Sequence, residues 1–321
     1  MKIGILGSGL IVPEFLRGAK EVSSIEVSAI CGRKQSEEKV RALAKANDIQ
    51  GVFFDRADFF ASDIDAVYIA LPNHLHFSSA AEAIKAGKHV IVEKPFASNL
   101  SEASELFSLA EERGVFVFEA AASVYLPAVK KAKKWISEIG RIRIVQSNYS
   151  QYSRRYEFFK SGETPAVFDP KQSGGALMDL GVYNAHFVCL LFGSPSSVLY
   201  EANTERGIDT SGTLILRYPD FYCVLTAAKD SASPCSISVQ GDGGSIFSPC
   251  SANTITRAEL LKRGENPVIF ECNEGDRMSF ELAEFARIIQ NADDEAYRKA
   301  KELTLSVMRI LDLGRTQAGI L

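Results

Sequence analysis

Several features are scarce in this 321-residue sequence, and each scarcity narrows the possible functions. The six cysteines are scattered and form no C-x-x-C pair of the kind used by zinc ribbons and redox motifs. Positive charge is not in excess, because 36 Lys and Arg face 40 Asp and Glu and the net charge is -4. Such a chain has no field to attract nucleic acid or an anionic membrane. We therefore expect reduced, mostly buried thiols and no nucleic-acid partner.

Long apolar runs and a targeting signal are also missing from the pattern. The longest runs, such as 187–192, are far short of a membrane span. The chain opens with a strand at 2–6. The basic region and apolar run that make up a signal peptide do not come before this strand. These features predict a cytoplasmic protein with no membrane partner. An apolar share of 46% over this length allows a large core and suggests two domains.

Strands and helices alternate through the first 120 residues. Val90, Ile91 and Val92 form a β-branched run without polar alternation, which is typical of a central strand covered by helices on both faces. Alternation of this kind indicates an α/β fold with a doubly wound parallel sheet. We therefore predict that residues 1–120 form one doubly wound α/β domain.

The pattern changes after residue 120. A basic amphipathic helix at about 127–139 is followed by short strands in which polar and apolar residues alternate, and two long helical patterns close the chain. Such alternation suits an antiparallel sheet with one face on a core. We predict that residues 121–321 form a second domain built on an antiparallel sheet. Residues 154–159 interleave basic and aromatic side chains, and we interpret them as a loop near the substrate entrance.

The turn after the first strand has the residues of a nucleotide-binding turn. Gly7, Ser8 and Gly9 lie between a strand and a helix, where glycine lets the backbone approach a pyrophosphate and the helix N-terminus supplies amide donors. Val12 occupies the third glycine position of the fingerprint, so the motif is incomplete. Its context favours dinucleotide binding over a simple tight turn.

The second strand ends in basic residues. An NAD-specific site would place Asp or Glu at this strand tip to bind the ribose hydroxyls, but this chain has Arg33 and Lys34 there. Both side chains can pair with a 2′-phosphate, and basic charge is otherwise unfavourable at a helix N-terminus. The residues therefore favour NADP(H) over NAD(H).

Two further segments carry groups suited to chemistry. Glu93 and Lys94 follow the buried strand at the sheet edge where open α/β sheets bind ligands, and Pro95 ends that strand. If the segment from Gly175 is helical, Asp179 and Tyr183 are i,i+4 neighbours on a stripe that also carries a histidine at position 186. Taken alone, this segment also fits a buried structural hydrogen bond and a core aromatic. His74 and His76 form H-x-H, but no Cys or carboxylate cluster completes a metal site, so we predict none.

Taken together, the order of these motifs is specific. Gly-x-Gly, Leu71-Pro72-Asn73 with His76, Glu93-Lys94-Pro95, Glu119-Ala120, and Gly-Gly-x-x-x-Asp-x-Gly-x-Tyr at 174–183 follow one another as in a known family. The chain resembles the glucose-fructose oxidoreductase/inositol dehydrogenase (Gfo/Idh/MocA) family over essentially its whole length. Tyr183 stands where many members carry His, which is similar to the NADP-dependent branch of glucose-fructose oxidoreductase and dimeric dihydrodiol dehydrogenase.

The resemblance implies a fold, a site and an assembly. The fold is an NADP-binding Rossmann domain over residues 1–120, followed by an α+β domain over residues 121–321 with a large, mainly antiparallel open sheet. The resemblance implies a homodimer or homotetramer formed through the open C-terminal sheet, a nicotinamide between Lys94 and the 179–183 helix, and a cis Lys94-Pro95 bond. It also implies cofactor contacts, which we place at Gly7, Ser8, Gly9, Leu10, Ile11, Arg33, Lys34, Leu71, Pro72, Asn73, His76, Glu93 and Lys94.

The function that follows is NADP(H)-dependent oxidation of a secondary alcohol of a sugar, polyol or cyclic diol. Tyr183 is the candidate acid/base; since free tyrosine has a pKa of about 10, the ammonium of Lys94 would stabilise its phenolate. Lys94 would also hydrogen-bond the substrate oxygen, and Asp179 would orient substrate or lysine. Whether Tyr183 or Lys94 accepts the proton stays open. Two alternatives also stay open: a non-catalytic NADP-binding regulator and an NAD-dependent glycosidase.

Overall fold

The computed structural model describes residues 1–320. The chain divides into two compact units. The first unit comprises Met1–Ala120 and Gly275–Leu305, and the second comprises Ala121–Glu274 and the chain from Ser306 onward. Each unit has its own sheet.

The first unit contains a six-stranded parallel sheet with the strand order β3-β2-β1-β4-β5-β6. Its elements before residue 121 are β1 (Lys2–Leu6), α1 (Val12–Lys20), β2 (Glu26–Cys31), α2 (Glu37–Ala46), β3 (Gly51–Phe53), α3 (Arg56–Ala61), β4 (Ala66–Ile69), α4 (His76–Lys85), β5 (His89–Glu93), α5 (Leu100–Arg113) and β6 (Val117–Ala120). This order reverses direction between β1 and β4, as in a Rossmann sheet, and ligands bind at the carboxyl ends of the strands beside that point.

Local sequence explains why the strand after α4 is an interior strand of this sheet. Val90, Ile91 and Val92 are fully buried, and β5 pairs with β4 on one side and β6 on the other. The next helix, α5, begins with a side-chain N-cap, because the Asn99 side chain accepts the Glu102 N–H at 2.9 Å. The doubly wound parallel fold predicted from the alternation is confirmed.

The second unit contains an eight-stranded sheet with the order β14-β13-β12-β11-β7-β10-β9-β8. Its elements are α6 (Pro127–Trp135), β7 (Ile142–Ser150), α7 (Arg154–Lys160), α8 (Val182–Phe192), β8 (Ser197–Glu205), β9 (Ile208–Arg217), β10 (Tyr222–Ala228), β11 (Ser236–Gly241), β12 (Gly244–Ser248), β13 (Arg257–Lys262) and β14 (Val268–Glu271). Only the pair β7 and β10 is parallel, so the predicted mainly antiparallel sheet is confirmed.

Two helices follow, α9 (Arg277–Asn291) and α10 (Asp294–Gln317). The sequence-based division assigned all of 121–321 to the second domain, and the structure differs because Gly275–Leu305 lies in the first unit. Arg277 on α9 forms an ion pair with Glu14 on α1 at 2.6 Å, and Phe285 stacks on Phe118 of β6 with ring centroids 4.5 Å apart.

Three other observations bear on the sequence-based expectations. Residues 154–160 form helix α7 instead of the predicted loop. The sequence suggested that the apolar runs are too short to cross a membrane. The stretch Pro170–Phe192 is nevertheless long and apolar enough by length and composition alone. Its apolar 18-residue segment is 78% buried inside the structure, as in the core helix of a soluble protein. All six cysteines are free, and no cluster of three or more His, Cys, Asp or Glu suited to a metal occurs within residues 1–320.

Candidate active site

The glycine turn after β1 has a backbone that requires glycine at its first position. Gly7 has φ +123°, and its N–H donates to the Cys31 carbonyl at 2.9 Å. A Cβ there would overlap the Ala70 carbonyl oxygen at the end of β4. Leu10, three residues on, has 79% of its surface exposed. The turn therefore places backbone without side chains, at Gly7 and Gly9, at the sheet edge where the strand order reverses.

These residues fit a dinucleotide. Helix α1 begins at Val12 with Pro13 in its first turn and without a side-chain N-cap, so its N-terminal dipole is not neutralised by a capping group. Ser8 and Ile11 are half-buried and Gly9 is exposed around the same turn. A glycine turn that leads into a helix N-terminus is a built anion site for a pyrophosphate.

The two basic residues after β2 differ in their surroundings. The ammonium of Lys34 pairs with Glu37 at 2.6 Å and lies 5.0 Å from the centroid of the Phe54 ring. Arg33 is exposed and extended, with φ -75° and ψ 147°. Within the part of the chain that the structure describes, it makes no ion pair or side-chain hydrogen bond. Arg33 is thus the side chain available to an external anion.

The segment after β4 is held by a buried histidine. His76 is fully buried, with Nδ1 2.8 Å from the Pro95 carbonyl oxygen and Nε2 2.8 Å from the Leu71 carbonyl oxygen. Burial lowers the pKa of His76, so the neutral ring donates to one of these carbonyls. His76 therefore ties the loops after β4 and β5 together, while Pro72 is exposed and Leu71 and Asn73 are half-buried between them.

Glu93 is oriented toward the core of the first unit. Its carboxylate accepts the hydroxyl of the fully buried Tyr68 and, at 3.2 Å, the backbone N–H of Lys94. Burial raises the pKa of Glu93. This geometry favours a role for Glu93 in supporting the backbone at Lys94, which is itself half-buried, over direct contact with a cofactor. The Lys94-Pro95 bond is cis, as the resemblance implied.

Sequence reasoning missed a second carboxyl group behind Glu93. Glu281 on α9 is fully buried, and neither of its carboxyl oxygens has a hydrogen-bond partner within residues 1–320. Burial, with the negative charges of Glu93 and Glu119, raises the pKa of Glu281 well above its ordinary value. A signal was present, because Glu281 falls on the apolar stripe of Met278, Leu282 and Phe285.

In the second unit, the Gly-Gly segment leads into a π-helical turn, Leu177–Gly181, which continues as α8. Buried Asp209 fixes its start by accepting the Leu177 N–H at 2.7 Å and the Tyr200 hydroxyl at 2.7 Å. Gly175, at φ +110°, lies so close to the Asp209 carboxylate that a Cβ would overlap it. The wider turn changes the i,i+4 geometry predicted for this segment, and such turns occur frequently at functional sites.

Asp179 and Tyr183 come from this turn and the helix after it. Tyr183 is half-buried and packs in a cluster with Leu180 and Ala227, its ring 6.0 Å from that of Tyr149. Asn184, the next residue, anchors α8 to the sheet, accepting from the Ser147 hydroxyl at 2.8 Å and donating to the Thr226 carbonyl at 2.9 Å. His186 lies in the core, 1% exposed.

The partner of Asp179 is Lys229, which sequence reasoning did not single out. Its ammonium donates to the Asp179 carboxylate and lies 5.7 Å from the centroid of the Phe168 ring. Lys229 is 5% exposed and directly follows β10. A signal was present here too, because Lys229-Asp230 places charge directly after an apolar strand, as Glu93-Lys94 does.

Together these features define a class: an oxidoreductase with a Rossmann unit for a nicotinamide dinucleotide and a second unit that carries ionisable groups. Residues 1–121 match the model of the oxidoreductase family with an NAD-binding Rossmann fold, and residues 129–247 match the GFO/IDH/MocA C-terminal domain. The chain belongs to the GFO/IDH/MocA family of oxidoreductases, which confirms the resemblance.

Known relatives cover the whole chain. The scyllo-inositol 2-dehydrogenase (NADP(+)) IolU of Bacillus subtilis (strain 168) is 36% identical over 100% of this chain and 98% of its own length. The trans-1,2-dihydrobenzene-1,2-diol dehydrogenase of Sus scrofa is 25% identical over 83% of this chain and 78% of its own. Among solved structures, KijD10, a 3-ketoreductase from Actinomadura kijaniata in complex with NADP and TDP-benzene, superposes with a TM-score of 0.86. It is 22% identical, covering 99% of this chain and 97% of its own, and shows the shared fold.

Proposed function

We propose that the protein is an NADP(H)-dependent oxidoreductase that transfers hydride between nicotinamide and a secondary alcohol or ketone. The observation that carries the proposal is the ion pair of Asp179 and Lys229, together with Tyr183, on a π-turn, a strand end and a helix of the second unit. A protein that only binds a dinucleotide has no need of a carboxylate, an ammonium and a phenol in its second unit. Proton transfer to or from a substrate hydroxyl needs groups of this kind.

The residues of the first unit supply the binding site of the dinucleotide. The Gly7, Ser8 and Gly9 turn and the N-terminus of α1 would hold the pyrophosphate, and Arg33 would bind a 2′-phosphate through its planar donor fork. His76 and Glu93 would keep the loops at this edge in place. When bound, the nicotinamide ring accepts the hydride in oxidation and returns it in reduction.

Three side chains have roles in moving and orienting the proton. Tyr183 takes the hydroxyl proton as hydride leaves the carbinol carbon. Asp179 accepts a hydrogen bond from a substrate hydroxyl and fixes which carbon is presented. Lys94 donates to the reacting oxygen and stabilises the negative charge that develops there.

The substrate class is a ring with adjacent hydroxyl groups. IolU is named for scyllo-inositol, and the Sus scrofa relative for a dihydrobenzene diol. Both compounds are six-membered carbocycles with vicinal hydroxyls, and this chain aligns with 98% of the first relative and 78% of the second. A carboxylate such as Asp179 suits a neutral polyol, because hydroxyl groups donate hydrogen bonds to it.

Assembly and location are part of the same proposal. We propose a homodimer or homotetramer that acts in the cytoplasm and assembles through the open sheet of the second unit. Supporting the assembly, Leu199 and Ile215 are cross-strand partners on β8 and β9 and expose 46% and 36% of their surfaces. Adjacent apolar side chains on one sheet face favour burial by a partner. Light scattering that gave a monomer mass at micromolar concentration would contradict this assembly.

The experiment for the function is an absorbance screen at 340 nm with inositols, sugars and cyclic diols, using both NADP⁺ and NAD⁺. We expect turnover with NADP⁺ and at least one vicinal polyol. Tyr183→Phe should lower kcat by about 100-fold or more, since general acid–base groups contribute about 10²–10⁴-fold, and should leave NADPH binding unchanged. Tight NADPH binding without turnover would favour a regulator, and release of sugar from an aryl glycoside without net cofactor change would favour a glycosidase.

A further inference from the structure

The ion pair of Lys229 and Asp179 is asymmetric. The lysine side chain is 6% exposed and the aspartate side chain is 29% exposed, so the carboxylate reaches solvent with the ammonium behind it. A ligand that approaches this face of the second unit meets Asp179 first. Lys229 therefore cannot act as an independent anion-binding group, because its charge is already paired and covered.

The backbone around Lys229 is fixed on both sides. Its N–H donates to the Thr210 carbonyl at 2.8 Å, and its carbonyl accepts the Ser153 N–H at 2.9 Å. The ammonium is further confined by the ring of Phe168, which belongs to a buried cluster with Tyr156, Phe159 and Ile208. A rigidly held cation fixes the position of the carboxylate it contacts more closely than a flexible surface lysine would.

The neighbouring carboxyl groups have other partners. Asp209 binds the Leu177 N–H and the Tyr200 hydroxyl, and Asp230 accepts hydroxyl hydrogen bonds from Thr210 and Ser211, each at 2.7 Å. Within residues 1–320, Asp179 is the carboxylate in ion-pair contact with Lys229. The pairing is thus specific to the residue on the π-turn.

We infer that Lys229 is a positioning residue of the active site, which holds Asp179 ionised and oriented so that this carboxylate accepts a hydrogen bond from a neutral polyol. This inference rests on the proposed function and adds to it the group that sets the state of Asp179. A carboxylate that loses its adjacent ammonium is protonated at higher pH and is held less firmly in place.

The test compares Lys229→Met, Lys229→Arg and Lys262→Met as purified full chains. Lys262 is the matched control, because its pair with Glu138 at 2.7 Å lies in the same unit on β13. We expect Lys229→Met to lower kcat/KM by about 10- to 100-fold, as for a misplaced site group, and to move the acid limb of its pH profile to higher pH. Lys229→Arg should recover most of the activity, and Lys262→Met should match the parent protein.

A double-mutant cycle with Asp179→Asn separates positioning from a general structural effect. If Lys229 acts through Asp179, Lys229→Met should change kcat/KM by less than about 3-fold in the Asp179→Asn background. The Tm of the ligand-free protein should fall in Lys229→Met, which removes the ammonium from beside a carboxylate, and be regained in the double variant. This second readout keeps the test decisive even if the single variant folds poorly.

Two results would overturn the inference. One is a parent-like kcat/KM and pH profile in a folded Lys229→Met variant, and the other is additive losses in the cycle. Absence of turnover by the parent protein on every polyol would instead contradict the proposed function. In that case the Tm cycle would still report whether the two residues are coupled.

Discussion

Arg33 is the side chain on which the choice between the two dinucleotides depends. It is exposed at the end of β2 and, among residues 1–320, has no ion-pair partner, whereas the neighbouring Lys34 is paired with Glu37. A 2′-phosphate at this strand tip would meet the guanidinium without displacing an existing contact. Because hydrogen bonds to charged groups contribute about 1.5–3 kcal/mol, Arg33→Ala should weaken NADPH binding by about 10- to 100-fold.

The matched control for this prediction is Lys34→Ala. Its ammonium already has a carboxylate partner, so we expect its loss to change NADPH affinity by less than about 3-fold, in the range of an exposed ion pair. Quenching of protein fluorescence by NADPH and by NADH measures both affinities for the parent protein and for each variant. Equal NADPH binding by the Arg33→Ala variant and the parent protein, or a parent protein that prefers NADH, would show that another group selects the cofactor.

At the scale of elements, the turn between β1 and α1 contains two glycines, Gly7 and Gly9, whose substitution should have different effects. Gly7 has a positive φ and no room for a Cβ, so Gly7→Ala should strain the backbone by about 1–3 kcal/mol and lower the Tm. At Gly9 a Cβ would lie 3.5 Å from the Ala70 carbonyl oxygen, an ordinary contact. Gly9→Ala should therefore keep the parent Tm.

Cofactor binding distinguishes the two variants further. If a pyrophosphate approaches the backbone at Gly9, the added methyl group should weaken NADPH binding by about 10-fold or more without a loss of stability, since close backbone approach is the role of the second glycine. Titration calorimetry and thermal melts of both variants test this. A stable Gly9→Ala variant with unchanged NADPH affinity would argue against dinucleotide binding at this turn.

The elements that the sequence predicts well are those whose apolar pattern is strong and local. Strand β5 and the cap at Asn99 follow directly from residue type and spacing. Strand β3 has three residues, too few to show a pattern, and β13, Arg-Ala-Glu-Leu-Leu-Lys, consists mainly of good helix formers that pair as a strand because of their neighbours in the sheet. Short or context-dependent elements are therefore missed.

The candidate site is likewise predicted only in part from the sequence. Each member that lies within a motif, such as Lys94, Asp179 and Tyr183, is identified by its neighbours in sequence. Lys229 lies 50 residues beyond Asp179, and only the folding of β10 beside the π-turn brings the two together. The π-turn itself is held by Asp209, 32 residues beyond Leu177. Contacts of this kind depend on tertiary structure, which spacing does not encode.

At the scale of the whole molecule, the return of Gly275–Leu305 to the first unit brings an unusual charge into its core. The return places Glu281 of α9 against a region that already contains Glu93 and Glu119, with Arg277 as the opposing charge. All four groups belong to the first unit. Glu281 is thus buried because this segment of the chain returns to the first unit. Burial of its carboxyl group should lower the free energy of unfolding.

Glu281 gives that cost a defined pH dependence. Its pKa is raised in the folded protein, so above about pH 4.3, where an unfolded glutamate ionises, the folded state retains a proton that the unfolded state has lost. Stability should then fall as pH rises, by about 1.4 kcal/mol per pH unit, until the folded carboxyl ionises as well. Glu93, whose pKa is raised too, contributes in the same direction.

Glu281→Gln should therefore stabilise the protein at pH 8 more than at pH 5.5, by about 1–3 kcal/mol at the higher pH. Urea unfolding followed by far-UV circular dichroism at both pH values measures the difference. Glu105→Gln, an exposed change on α5 of the same unit, serves as the control and should leave both values unchanged. Glu281→Met should lose the same pH dependence, since the effect comes from removing the titrating group and not from the amide that replaces it. If Glu281→Gln instead lowers stability equally at both pH values, the carboxyl is an ordinary structural partner in the core and carries no raised pKa.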